Sequence, residues 1–248
     1  GVMNTDNMTI SGETIDYGPC AFMEAYDPQT VFSSIDTHGR YAYANQPLIA
    51  QWNLARLAET LLPLIDSEQP DRAVTLATEI IHAFPARYDV HWLAGARAKL
   101  GLTTEDEDDL VLAQDWLKLL KTQGADFTLA WRRLSDVAAG QPQAFGALFS
   151  DASAPQTWLA RWQERVARED VPADARAQAM HGVNPIYIPR NHRVEEALAA
   201  ASERADFAPF EDLLEAITRP FEGRVELALF ATPAAAEVTA CYKTFCGT

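Results

Sequence analysis

Asp6-Asn7-Met8-Thr9-Ile10-Ser11-Gly12-Glu13-Thr14-Ile15-Asp16-Tyr17-Gly18 is the stretch on which the fold turns. Residues 8–10 and 14–15 are short β-prone runs, and Ser11-Gly12-Glu13 between them has the composition of a tight reversal. A hairpin brings its two ends together, so Asn7 and Asp16 are expected side by side. An amide oxygen and a carboxylate are hard ligands, the kind Mg²⁺ takes when it also binds phosphate oxygens. Asp6, next to this pair, is placed to accept a proton from an attacking hydroxyl. Asp-Asn and Asp-Tyr-Gly are also ordinary turn formers. The order of the parts gives them meaning: Asn, a short hairpin, then Asp-aromatic-Gly.

Around this stretch, residues 1–50 are rich in Gly, Asn, Asp, Tyr and Pro, and 17–50 reads as an extended loop with turns at Tyr26-Asp27-Pro28 and His38-Gly39-Arg40. A loop of that length in a compact domain is usually functional. From Asn53 the pattern becomes helical. Leu54, Leu57, Ala58, Leu61, Leu62 and Ile65 recur at the spacing of one apolar face. Further helices are expected at 71–84, stopped by Pro85, and at 90–100, ended by Gly101. Thr104-Glu105-Asp106-Glu107 reads as a capping box opening a helix that runs to 121. Helices follow at 127–139, 155–168, 173–181, 192–204 and 209–218, with 184–189 extended. The fold class is therefore mainly α with a short β-hairpin. Three regions are distinguished: 1–66 with the candidate site, 67–222 as a helical body, and 223–248 as a tail.

The chain has 248 residues, 48% of them hydrophobic, and a formal net charge of −15. That excess of acid leaves no basic stripe for nucleic acid and disfavours an anionic membrane surface. No apolar run approaches the roughly 20 residues that span a bilayer. The first residues lack the basic and apolar segments of a signal peptide. A motif so dense at residue 1 suggests a piece of a longer protein. Three cysteines, an odd and low count, point to a reducing cytoplasm rather than a disulfide framework.

The layout of Asn7, hairpin and Asp16-Tyr17-Gly18 is similar to a kinase catalytic loop and its metal-binding Asp-Phe-Gly. Gly1-Val2-Met3-Asn4-Thr5-Asp6-Asn7-Met8 and Thr14-Ile15-Asp16-Tyr17-Gly18-Pro19 resemble more specifically the signature of the SelO family, whose members are also called YdiU. The likeness runs on through Phe22-Met23-Glu24-Ala25-Tyr26-Asp27-Pro28, Gly39-Arg40-Tyr41-Ala42-Tyr43, Asn45-Gln46-Pro47 and Trp52-Asn53-Leu54-Ala55-Arg56-Leu57. It resurfaces at Asn184-Pro185 and Arg190-Asn191. The resemblance implies the C-terminal lobe of a protein-kinase-like fold with a helical extension. It implies an adenylyltransferase that moves AMP from ATP to Ser, Thr or Tyr hydroxyls of protein substrates, with Mg²⁺ or Mn²⁺ as cofactor. In that reading Asp6 is the general base, and Asn7 and Asp16 hold the metal and the nucleotide. Val2 stands where a kinase loop carries its base. The family is cytoplasmic in bacteria and mitochondrial in eukaryotic relatives. The parts that hold most of the ATP belong to an N-terminal lobe outside this sequence, so the chain alone is expected to be inactive. A pseudokinase-like scaffold without chemistry is the alternative.

Cys246 sits where some family members carry selenocysteine, and Cys20 follows Gly18 by two residues. A Cys20–Cys246 disulfide would tie the tail across the site in a redox-dependent way. Equally, Cys20 packs as a small apolar residue and Cys246 remains a thiol, with Cys241 as a competing partner. The five histidines share no metal-ligand spacing. His38 is kept as a site candidate, and Arg40 and Arg56 as cations able to reach an anion. Trp116, Trp131, Trp158 and Trp162 read as packing residues.

Overall fold

A computed structural model of the protein describes residues 2–13 and 21–244. Helices dominate, as the periodicity demands. In chain order they are α1 (Gln46–Ile65), α2 (Pro70–His82), α3 (Phe84–Leu100), α4 (Asp109–Gln123), α5 (Phe127–Ala138), α6 (Gln156–Val166), α7 (Ala173–Val183), α8 (Asn191–Arg204), α9 (Ala208–Thr218), and the short α10 (Ala228–Ala231) and α11 (Ala236–Cys241). Among the described residues there is no strand, only an isolated antiparallel bridge between Ala25 and Asp126. At the expected hairpin, Met8 is extended and Gly12 N–H donates to Thr9 O at 3.3 Å, with Gly12 at φ 71°. That positive φ is the reason a glycine suits the turn. The second arm, with Asp16, lies outside the described residues.

The chain divides into two compact units. One comprises Gly1–Ala21, Pro28–Trp92 and Lys243–Thr248; the other comprises Phe22–Asp27 and Leu93–Tyr242.

In the first unit α1 and α2 pack on one another, and Gln51 near the start of α1 donates from Nε2 to Ile81 O near the end of α2 at 3.0 Å. Pro70 opens α2 at a position where no N–H is needed. Asp66 joins the two helices. Its carboxylate accepts from Gln69 N at 2.9 Å and Glu68 N at 3.1 Å, and the Gln69 bond holds it below the usual carboxylate range. Pro85 does not stop a helix as expected. It occupies the first turn of α3, where its missing N–H costs nothing, and the real break is at Ala83.

The second unit is built on an aromatic core. Trp116 is fully buried, with Trp158 at 4.4 Å, Trp131 at 5.7 Å and Phe145 at 6.1 Å between ring centroids. Trp158 and Trp162 donate their indole N–H to Leu112 O and Leu100 O, both at 2.9 Å. The four tryptophans thus serve packing. Gly101 ends α3 at φ 71° under Met180, whose Sδ lies 2.6 Å from where a Cβ would stand.

The capping box at Thr104 does not form, and the helix starts at Asp109 instead. Thr103 and Thr104 give their backbone N–H groups, both at 3.0 Å, to Glu169, which also accepts the Thr104 hydroxyl at 2.8 Å. Asp109 is fully buried between Arg165 and Arg97, each 2.7 Å away. Long-range ion pairs thus outcompete the local cap.

Candidate functional site

Asp6 and Asn7 close a single 3₁₀ turn, Thr5–Asn7, in which Asn7 N–H donates to Asn4 O at 3.0 Å. Both side chains are exposed. The Asp6 carboxylate makes no hydrogen bond or ion pair among the described residues, which suits a group that must meet a substrate proton. The Asn7 amide nitrogen donates to Val2 O at 3.3 Å. That bond turns the nitrogen inward and leaves Oδ1 as the oxygen available to a cation, so Asn7 fits the ligand role asked of it. Asp16, the other expected ligand, lies outside the described residues, as do Cys20 and Cys246. No three His, Cys, Asp or Glu side chains converge among the described residues.

The turn is held from behind by residues that sequence reasoning gave no role. Asn53, buried on α1, donates from Nδ2 to Met3 O at 2.9 Å. Its Oδ1 is buried with no partner among the described residues. Tyr41 donates its hydroxyl to Asn4 Oδ1. Residues at 3 and 4 are thereby fixed to α1 and to the 28–45 loop. That loop is itself pinned: Asn45 Nδ2 donates to Gly39 O at 2.7 Å, and the Asp36 carboxylate accepts Arg40 N at 2.8 Å and Tyr41 N at 2.9 Å. A signal for Asn53 was present in the sequence. It falls four residues after Ile49, the other buried position of α1, so a polar side chain stands on the buried face.

Beside the turn, in the same unit, lies an open cleft of about 620 Å³. Val2, Asn4, His38, Arg40, Tyr41 and Leu48 are among its walls. Arg40 has no carboxylate partner among the described residues. Its guanidinium lies 5.0 Å from the Trp52 ring centroid and 5.7 Å from that of Tyr41, a cation–π setting that holds the charge in place. Arg56 also stacks on Trp52, at 5.3 Å, but is paired with Glu59 at 2.7 Å. Thr244, near the C-terminus, docks on this unit rather than trailing free. Its carbonyl accepts Ser34 N at 2.8 Å and its hydroxyl donates to Phe32 O at 2.6 Å.

The second unit brings together two distant runs of the sequence. Arg190 is fully buried and forks onto Asp126, with Nη1 at 2.5 Å and Nη2 at 3.2 Å; Nη1 also meets Glu24. Burial pushes the Glu24 carboxyl up, against the opposing pull of Arg190. The Asn191 side chain brackets the backbone of Phe22: Oδ1 accepts Phe22 N at 2.8 Å and Nδ2 donates to Phe22 O at 2.9 Å. Phe127 N donates to Glu24 O at 2.7 Å. Residues 22–27 are thus anchored by Arg190 and Asn191, an architectural role. Asn184 is likewise buried, bonded to Lys99 O at 3.0 Å and Ser135 Oγ at 3.1 Å.

The chain matches known proteins along its full length. Residues 1–218 match the family described as Protein adenylyltransferase SelO. A protein nucleotidyltransferase YdiU of Rhizobium etli is 58% identical over 251 residues, covering 100% of this chain and 50% of the relative. Its namesake in Chromobacterium violaceum is 59% identical over 249 residues, covering 100% and 52%. That of Cereibacter sphaeroides is 58% identical over 248 residues, covering 100% and 50%. The chain spans about half the length of the curated relatives it matches. With the turn at Thr5–Asn7 and the buried contacts of its shared motifs in place, the chain belongs to the SelO family of protein adenylyltransferases.

Proposed function

We propose that this chain supplies the base and the divalent-metal ligands of a protein adenylyltransferase. In this reading it is the C-terminal lobe of a protein-kinase-like unit, and the rest of the polypeptide holds most of the ATP. One observation carries the reading. Asp6 and Asn7 stand exposed on a turn whose backbone is fixed by a buried asparagine, with the Asn7 nitrogen occupied and its oxygen without a partner among the described residues. Membership of the SelO family gives that geometry its chemistry.

Asn7 Oδ1 and the Asp16 carboxylate are the proposed ligands, on the expectation from the sequence that the chain reverses between them. Those two side chains would hold Mg²⁺ or Mn²⁺, which when bound would supply positive charge to offset that of the triphosphate. The oxygen of a protein Ser, Thr or Tyr attacks the α-phosphorus of ATP, and Asp6 accepts the hydroxyl proton. The bond from the α-phosphorus to the β-phosphate bridging oxygen breaks, and pyrophosphate leaves. Positioning and electrostatics supply most of the rate. The hydrogen bonds of Asn53 and Tyr41 serve that positioning. A Cys20–Cys246 disulfide would close the tail over the same unit, and the docking of Thr244 two residues before Cys246 supports it.

The test uses the full-length protein and ATP labelled on either the α- or the γ-phosphate. Label from the α-position should enter an acceptor protein in a metal-dependent way, and Asp6→Ala and Asp16→Ala should each abolish it. Unchanged transfer in both variants would defeat the enzyme reading. γ-Label transfer would mean ordinary phosphorylation, and binding without transfer would favour a scaffold. The 248-residue chain alone should bind ATP weakly and turn over little.

A further inference from the structure

The transfer chemistry calls on Asp6 and the metal ligands and leaves the adjoining cleft of about 620 Å³, a volume in the range of ligand sites, without a task. Among its described walls Arg40 is the permanent cation and Asp36 the one carboxylate. The Asp36 oxygens accept the backbone N–H groups of Arg40 and Tyr41, at 2.8 and 2.9 Å, so they are satisfied without the guanidinium. That guanidinium lies 5.0 Å from the Trp52 ring centroid and 5.7 Å from that of Tyr41. Stacking on rings occupies the flat face of an arginine and leaves its N–H edge, which matches a carboxylate or phosphate in a two-pronged pair. The rings also hold the long side chain in place beforehand, which lowers the ordering cost of binding. Arg56, over the same Trp52 ring, is instead neutralised by Glu59.

The cleft is tied to the turn. Asn4, one of its walls, precedes Asp6 by two residues, about 7 Å of extended chain at most, and its Oδ1 accepts the Tyr41 hydroxyl. An acceptor whose hydroxyl meets Asp6 therefore lays its neighbouring residues into the cleft. We infer that Arg40 reads an anionic side chain, carboxylate or phosphorylated, close to the acceptor hydroxyl, so that anionic segments of protein substrates are the preferred AMP acceptors. The inference rests on the adenylyltransferase reading for the identity of the occupant, while the recognition itself is binding and is measured without transfer.

The experiment uses the full-length protein and fluorescent peptides that share one Thr acceptor and differ only at the flanking positions, which carry Glu, phosphoserine, Gln or Lys. Affinity is read by anisotropy. At least one of the two anionic peptides should bind at least about tenfold more tightly than the Gln peptide, and the tighter of the two identifies the source of the anion. Arg40→Gln should remove the preference. Arg40→Glu should shift it to the Lys peptide, a reversal that misfolding cannot produce. With ATP labelled on the α-phosphate, kcat/KM for transfer should follow the same order. Equal binding of the Glu, phosphoserine and Gln peptides to wild type would overturn the inference. So would a preference that survives in Arg40→Gln, whether or not the KM for ATP rises. An Arg40-dependent binding preference without transfer to any peptide would support the recognition and count against the adenylyltransferase reading.

Discussion

Asn53→Ala removes the side-chain bond that, among the described residues, ties the backbone at Met3 to α1. The bond is 2.9 Å long and part-buried, with Asn53 only 7% exposed, so Met3 O loses a partner where water has limited access. Leaving a buried acceptor unsatisfied costs about 1–3 kcal/mol. If that cost falls on the turn, the population holding Asp6 and Asn7 in place drops by a factor of about 5–150. The assay is AMP transfer by the full-length protein, read as kcat/KM beside the thermal midpoint. The expected outcome is a loss of transfer in that range, larger than the small change in global stability explains. Asn53→Asp sharpens the test. It keeps an oxygen at the unpartnered Oδ1 site and sets a second oxygen against Met3 O. Near neutral pH it should be at least as impaired as alanine, and it should recover partly as acid protonates the new carboxyl and lets it donate. Wild-type transfer in both variants would refute the idea that Asn53 positions the turn.

Other expectations concern stability. Arg190→Met strands Glu24 and Asp126 as buried carboxylates and should cost about 3–5 kcal/mol in urea unfolding; Glu24→Gln should cost less, because burial already raises that carboxyl. Glu169 is held well below the ordinary carboxylate range, and Asp109 is held below it too. Burial would raise each, but the bonds from Arg176 and Thr104 to Glu169, and from Arg165 and Arg97 to Asp109, prevail. Their folded pKa values lie below the unfolded ones, so their contribution is complete above about pH 4 and is lost as pH falls from there. Glu169→Gln should flatten the acid limb of a stability-against-pH curve. Gly101→Ala should lower the thermal midpoint more than Gly124→Ala does. Both have positive φ, but only at Gly101 does the new methyl meet Met180 and Arg176 within 3 Å.

Much of the helical architecture was legible because local signals and packing agree. The helix expected at 127–139 is α5, capped by Asp126 at Leu129 N and periodic in its apolar face. Gly101 ends α3 because only a glycine fits under Met180. The misreadings arise where distant residues intervene. Thr104 looks like a cap until Glu169, far along the chain, takes its donors. Pro85 looks like a stop because a sequence does not show which turn of a helix it occupies. The candidate site is proposed from residue types at Asp6, Asn7 and Asp16, of which the described residues include only Asp6 and Asn7. Its supports were not legible, since the pairing of Asn53 with Met3 and of Tyr41 with Asn4 is made by folding alone. The grip of Arg190 on Glu24 was invisible for the same reason.

The most direct measurement is Mn²⁺ binding to the full-length protein with ATP present, followed by electron paramagnetic resonance, in wild type, Asn7→Ala and Asp16→Ala. Convergence of the two side chains predicts that each variant loses at least about tenfold in Mn²⁺ affinity, with both removing the same bound signal. Wild-type affinity and an unchanged spectrum in either variant would contradict it.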